Sequence, residues 1–377
     1  MSDPTTGVPA NGARSAASPA SPIAPDTHSA PDTHSTPVLP EGQHTQATAS
    51  TKTSGKRFGG GSSVLRNAGL IFALVVLCIV GVVTSGERFA SVDNLMTILR
   101  LASALGVLAI GMTFVITAGG IDLSVGAVMG LATVWATTLA TQTMAQQSTW
   151  LVMVFTALIV GLIAGAINGI IIAYGKVVAF IATLAMMVAA RGIAEIISNR
   201  QTQVIKVNEF KTALRGDILG VPNLVWLFVV VSIAGWFLLN RTTFGRRTIA
   251  VGGNPEAARL AGINVKRHLV YVYALCGTTA GIAAVMMLGR TNSGSSTTGY
   301  LAELDAIAAV VVGGTLLIGG RGTITGTILG VLLFTTLTNV FVQNNMSTSA
   351  QAVAKGLIIV AAVLLQQRFA SKSATHT

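Results

Sequence analysis

Few side chains in this sequence could do chemistry, and their settings narrow what that chemistry is. Asp122 lies in Gly119-Gly120-Ile121-Asp122-Leu123-Ser124, at the join between two apolar runs. A carboxylate there can cap the run that follows, accepting from N–H groups that would otherwise stay unpaired. Paired glycines and a capped helix start also suit a broken-helix element along a transport route, with Ser124 adding a hydroxyl. The two readings are compatible. Arg191 and Glu195 are four apart in an apolar run. A charge at membrane depth marks function by default, yet an i,i+4 pair can also neutralise itself on one helix face. Glu303 and Asp305 precede another run; they read as a cap with a solvated charge, or as a contact for an external protein.

Other chemistries lack their residues. A phosphate-binding loop needs Gly-Lys-Ser/Thr, so that backbone N–H groups and a lysine hold the phosphates. Lys56 is followed by Arg57 and Lys176 by Val177, and the Gly-rich stretch 313–322 has no lysine. No metal-ligand spacing or nucleophile–base pair occurs. Cys78 and Cys276 both sit in apolar runs and read as buried thiols, not as a disulfide or a zinc site. The expectation is no metal, no cofactor bound by this chain and no enzyme.

The elements that must position these residues are membrane spans. The 377 residues are 51% hydrophobic and 10% charged, with mean hydropathy +0.69. A soluble domain carries about a quarter charged residues, so this chain cannot coat a soluble surface. The net charge of +11 reads as basic loops held in the cytoplasm rather than as nucleic-acid binding. Residues 1–62 stand apart: eight of the ten prolines lie in the first forty positions, and Ala24–Ser29 repeats as Ala30–Ser35. That composition reads as a disordered cytoplasmic tail. Its His28, His34 and His44 read as a slipped repeat rather than a metal tract. No secretory signal is expected, since the first apolar run starts near Ala68 behind Lys52, Lys56, Arg57 and Arg66.

Runs of membrane length place ten spans in a domain covering 63–370, near 68–84, 101–118, 124–142, 150–174, 179–198, 223–240, 268–289, 304–320, 324–343 and 352–367, with a short tail over 371–377. Residues 123–175 carry no charge; one helix that long would reach about 80 Å, so the chain must fold back, and 142–149 is the polar place to do it. The loop after the sixth span holds Arg241, Arg246, Arg247, Arg259, Lys266 and Arg267 against Glu256 alone. It is expected inside, and ten spans put both termini inside as well. Residues 199–222 are then outside despite Arg200, Lys206, Lys211 and Arg215. Glycines four apart (Gly126/Gly130, Gly161/Gly165/Gly169, Gly277/Gly281, Gly322/Gly326/Gly330) read as sites of close helix approach. The fold class expected is all-α and polytopic.

One loop segment specifies a short helix of its own. Asn254 is a good N-cap, Pro255 suits the first turn, Glu256 complements the positive helix end and Gly262 suits the C′ position. Ala257, Ala258 and Ala261 read as small exposed side chains. About two turns cannot hold themselves in water, so the helix either covers the inner face of the bundle or enters a groove on a cytoplasmic partner.

The surrounding segment, Thr243/Phe244/Gly245/Arg246, Ala250/Gly252/Asn254, Ala257/Ala258/Arg259 and Ala261/Gly262/Ile263, resembles the coupling loop of ABC-importer permeases of the ribose/xylose/galactose type. Gly111–Ile116 with Gly119–Gly126, and Leu304–Ala309 with Gly313–Thr315 and Gly319–Gly322, resemble further signatures of that family. The likeness runs from about 67 to 367. It implies a permease subunit for a monosaccharide or similar small polar solute, working with a cytoplasmic ATPase subunit that uses ATP, an external solute-binding protein and a second permease copy. The alternative is a stand-alone secondary transporter or channel. The resemblance puts Gly245, Arg246, Gly252, Asn254, Glu256, Ala257, Ala258, Arg259 and Gly262 in the coupling loop, Gly119, Gly120, Asp122, Ser124, Phe180 and Thr183 on the route, and Glu303 and Asp305 at the outer contact. One departure stands out: the family's prolines and glycine around a Phe-Ile-x-Thr-Leu-Gly segment are absent from Val177–Ala185.

Overall fold

The computed structural model describes residues 61–358 and 360. The N-terminal tail with its histidines, half of the last predicted span and the C-terminal tail lie outside the described residues. Among the described residues, seven helices are long and apolar enough to cross a membrane: α1 (Gly61–Ser85), α3 (Val92–Thr117), α6 (Leu151–Ala173), α7 (Ala179–Ser198), α9 (Asn223–Arg241), α12 (Val265–Thr291) and α14 (Ile324–Gln343). They follow from unbroken apolar runs, within which the backbone can satisfy its polar groups only along its own helix. The chain is an all-α polytopic membrane protein. A further helix, over 348–358, begins the tenth predicted span.

Two predicted spans, 124–142 and 304–320, are half-helices. α4 (Val125–Ala136) stops at Thr137 and α13 (Ala302–Val312) stops at Gly313. Apolar residues continue past both stops, which is why hydropathy extended them. Beyond α4 the expected polar turn is itself helical: α5 (Leu139–Gln147) starts on Thr138, whose hydroxyl accepts from the Thr141 N–H. Gln142 is buried there. Its Nε2 donates to Thr137 O at 2.8 Å and to Val204 O at 3.2 Å, and its Oε1 accepts from the Lys206 N–H at 2.7 Å.

α12 is the central post. A Cβ on Gly165 would lie 3.0 Å from the Gly277 Cα, and one on Gly281 2.8 Å from the Leu158 Cα. Gly161, Gly165 and Gly169 thus let α6 lie backbone to backbone on α12, as their spacing predicts. Gly326 and Gly330 do the same for α14 against Gly313 and Ala309 of α13. Gly126 and Gly130 serve differently. They face the turns at Gly299 and Thr298, with the side chains of Glu303 and Arg191 beside them, rather than the backbone of another helix.

One end of the bundle carries α10 (Thr243–Gly253) and α11 (Pro255–Leu260); we call it the α11 end. The other carries α2 (Glu87–Ala90), α8 (Asn208–Arg215) and two small antiparallel pairings, β1 (Gln203–Val204) with β4 (Ser293–Gly294) and β2 (Asp217–Ile218) with β3 (Val221–Pro222). We call it the hairpin end.

Candidate functional site: a capped surface helix and two broken elements

At the α11 end, three caps in series fix the loop between α9 and α12. The Thr242 hydroxyl accepts from the Gly245 N–H and starts α10. Asn254 ends α10, and its Oδ1 accepts from the N–H groups of Glu256 and Ala257, both at 3.0 Å, to start α11. Asn264 starts α12 by accepting from Arg267 N–H. Gly262 has φ +82°, which only glycine adopts without strain, and it lets Ile263 N–H reach back to Ala258 O at 3.0 Å. Arg259 grips Glu256 through Nη2 at 2.5 Å and Nε at 3.2 Å. That hydrogen-bonded charge holds the Glu256 carboxyl below its usual range and pushes Arg259 up.

Every residue of α11 is exposed except Ala258, which turns inward. The expectation that Ala258 is presented with Ala257 is corrected: on two turns one face must rest on the protein. What α11 presents instead is Leu260, 77% exposed, beside Glu256, Ala257 and Arg259. Behind it, His268 Nε2 and the Thr248 hydroxyl lie 2.9 Å apart, and Phe244 sits between the rings of Phe114 and His268. α10 is thereby keyed to α12 and α3.

The first broken element begins where α3 ends. Gly119 takes φ +85°, and the chain turns back into the bundle over Gly120–Ser124. Asp122 is buried, and its Oδ1 accepts from the Ser124 N–H at 2.8 Å and the Ser124 hydroxyl at 2.6 Å. Ser124, not Asp122, holds the cap position of α4; the carboxylate acts through it, one step earlier than expected. Asn168 Nδ2 donates to Ser124 Oγ at 2.9 Å, and the Thr183 hydroxyl donates to Ala179 O at 2.8 Å and to Ile121 O at 3.4 Å. The structure brings Gly119, Gly120, Asp122, Ser124 and Thr183 together. Phe180 does not join them: it is 53% exposed on the outside of α7. Asn168 and Tyr273, which sequence reasoning missed, complete the cluster, with Tyr273 Oη against Gly120.

The second broken element enters from the opposite end. Ser293–Leu301 descends antiparallel to α4: Gly294 lies against Thr133 and Thr137, Ser295 O accepts from the Thr133 hydroxyl at 3.4 Å, and Gly299 lies against Gly126. α13 then runs to the α11 end, where its glycine loop turns at Gly319 (φ +90°) and Gly320 (φ +76°). The two half-helices therefore start side by side inside the bundle and run apart. Arg191 does not pair with Glu195. It donates to Ser296 O and to Thr298 O, the latter at 3.0 Å, while Glu195 takes Arg200 at 3.0 Å. Glu303 is buried, 7% exposed, with Oε2 unpartnered beside Gly126, so an exposed contact there is corrected. Asp305 is held by Lys355 at 2.8 Å. A cavity of about 180 Å³ lies beside this element, lined by Leu101, Leu105, Leu108 and Met287 among others and by Asp305 and Lys355.

Both elements meet α10 on bare backbone. Gly320 N–H donates to Thr117 O at 2.9 Å. A Cβ on Gly319 would lie 2.7 Å from Gly252 O and 2.9 Å from Gly119 Cα, and one on Gly320 2.9 Å from Gly253 Cα. A Cβ on Gly252 would run into Thr117 O and sit 2.7 Å from Gly320 N. The capped loop that carries α10 and α11 and the two broken spans converge on one junction.

Residues 94–363 match the family described as branched-chain amino acid transport system / permease component. The chain belongs to this family. Among similar proteins, the ribose import permease protein RbsC of Escherichia coli (strain K12) is 39% identical over 319 residues, 84% of this chain and 98% of the relative. RbsC of Bacillus subtilis (strain 168) is 38% identical, covering 81% and 94%. The xylose transport system permease protein XylH of Escherichia coli (strain K12) is 33% identical, covering 81% and 93%. No solved structure matches. The permease thus shares nearly the full length of these relatives.

Proposed function

We propose that this permease is the membrane-spanning part of an ATP-driven importer for a monosaccharide or a similar small polar solute. Relatives named for ribose and xylose import support the cargo class. The observation that carries the mechanism is α11. It is capped at both ends, yet it presents all but one of its residues, Leu260 included, to whatever lies beyond. So short a helix gains its use from a groove that receives it. With the basic residues Arg241, Arg246, Arg247 and Lys266 around it, the α11 end is cytoplasmic, both termini are inside, and the groove belongs to an ATPase subunit. The hairpin end faces a solute-binding protein, and a second permease copy or close relative completes the route. Asp122 and its partners hold the first broken element rigid, so that movement of α11 passes through the glycine junction to both half-helices.

The test is co-purification of the ATPase subunit with Ala257→Trp/Leu260→Asp, two exposed sites whose change leaves the bundle intact. The expected result is loss of the ATPase subunit and of uptake, with membrane insertion unchanged. Uptake that survives this variant, or that proceeds with no ATPase present, overturns the proposal in favour of a stand-alone transporter.

A further inference from the structure

The chain between Ser293 and Leu301 lies where lipid would not tolerate it. Its depth can be read on two rulers. Along α4 it runs from Thr137 to Gly126, about 16 Å at 1.5 Å per residue. On α7 it is held by Arg191, seven residues, or about 10 Å, inside the Ser198 end. Past β4 its backbone makes only single turns, Thr298 N–H to Ser295 O at 3.1 Å and Tyr300 N–H to Thr297 O at 3.2 Å, and its carbonyls at Ser296 and Thr298 accept from the arginine. Yet Thr297 and Leu301 are exposed, and Tyr300 is 76% exposed. Irregular backbone at this depth persists only where it is buried in protein or lines a water-filled route.

The composition decides between those two. Ser295, Ser296, Thr297 and Thr298 put four hydroxyl side chains in a row. Arg191 and Glu303 stand behind them, and charged groups inside spans mark solute pathways. A protein interface inside a membrane uses small residues, Ser and Thr among them, that let backbones close up; Tyr300 stands against that, being large and 76% exposed. We infer that this stretch is the solute-facing wall of the route, and that Tyr300 is the residue on which a cyclic polyol stacks. The flat ring covers the C–H face of such a solute while the Thr297 hydroxyl and the phenol meet its hydroxyl rim. An uncharged solute suits the site, because Arg191 is committed to backbone carbonyls and Glu303 is turned to Gly126. Weak, repeated hydroxyl contacts also let the solute leave. Arg191 is then a positioning residue: it holds the wall and does not touch the cargo. The inference rests on the importer reading above and assigns it a contact residue.

The experiment uses the whole complex in inverted and right-side-out vesicles, in a Cys78→Ser background. Thr297→Cys and Tyr300→Cys are treated with a charged, membrane-impermeant methanethiosulfonate, with Leu219→Cys at the hairpin tip as the outside marker. Both are expected to react, and D-ribose or D-xylose uptake by Tyr300→Ala is expected to show a KM raised about tenfold with the ATPase subunit still bound. Tyr300→Phe should keep the wild-type KM to within about twofold. Labelling at Leu219→Cys with none at Thr297→Cys overturns the inference, since the stretch is then covered by protein; so does a wild-type KM in Tyr300→Ala. Thr297→Cys keeps the test open should Tyr300→Ala fail to assemble. If no D-ribose or D-xylose is taken up by the parent complex while the thiols react, the cargo reading fails and the route does not.

Discussion

The two broken elements are built alike and finished differently. Each has a non-helical stretch leading to a half-helix of about three turns, and each starts its half-helix beside the other. The first is closed. Asp122, Ser124, Asn168 and Thr183 bond one another or nearby backbone, and Gly119 is sealed by α10 and by the loop after α13. The second is open. Thr297 and Leu301 are exposed and Tyr300 stands free. A closed element passes on displacement, because packed backbone has no slack. An open one meets something that comes and goes. On the proposed reading, the first element carries force and the second meets cargo.

The strongest way to break that comparison is at the junction. Gly252→Val puts a side chain against Thr117 O and Gly320 N, with only backbone to give way. Overpacking of this kind costs about 1–3 kcal/mol, and relief requires α10 to part from both broken elements. Uptake is expected to fall more than tenfold while the ATPase subunit still co-purifies. Normal transport by Gly252→Val would show that α10 and the half-helices move independently, and the first element would lose its assigned role.

A second comparison is thermal. Ser124→Ala removes the acceptor for Asn168 Nδ2, and Asn168 Oδ1 is already unpartnered. A buried polar group left unpaired costs about 1–3 kcal/mol. The unfolding midpoint of the detergent-solubilised permease should drop measurably in Ser124→Ala and stay unchanged in Thr297→Ala, whose hydroxyl is exposed. Equal drops would mean that the open element is as tightly packed as the closed one.

How much of this the sequence showed depends on whether the deciding contact was local. α11 was legible because Asn254, Pro255, Glu256 and Gly262 each act within a turn of themselves. The inward face of Ala258 was not, since two turns carry no periodicity from which to read a buried side. The seven long spans were legible from apolar length, but the early stops of α4 and α13 were not. Thr137 bonds Gln203, 66 residues on, and Gly313 lies against Gly326 beyond its own glycine loop, contacts that hydropathy does not carry. Arg191 shows the same limit. Glu195 is at the right spacing, yet two carbonyls from residues 296 and 298 take the guanidinium, whose fork of donors suits several acceptors at once. The wall at 295–301 gave the weakest signal: a run of Ser, Thr and Gly reads as any loop until its depth is known.

The remaining predictions sharpen the comparison at the α11 end. Asn254→Ala removes the acceptor for two N–H groups of α11. Loss of such a cap costs about 1 kcal/mol, or about a fivefold factor in an equilibrium. Affinity for the ATPase subunit should weaken by about that factor, with solute-dependent labelling at Thr297→Cys unaltered. The two ends of the force path would then be separable.

The smallest effect expected is with pH. Glu256 is held below the usual carboxylate range, first by its hydrogen bond from Arg259 and then by that charge. A depressed carboxyl contributes above its free value, about 4.3, and the contribution is lost as pH falls through the depressed value. The pair is fully exposed and screened by salt, so it adds little by itself. Binding of the ATPase subunit should therefore be flat on the Glu256 account from pH 8 to about pH 5, measured on the assembled complex at fixed ionic strength. Glu256→Gln should behave the same across that range but with weaker binding at low salt. A step in binding between pH 5 and 7 that vanishes in Glu256→Gln would mean that the Arg259 bridge opens when α11 is seated, and that the groove itself, not the helix, sets the charge on Glu256.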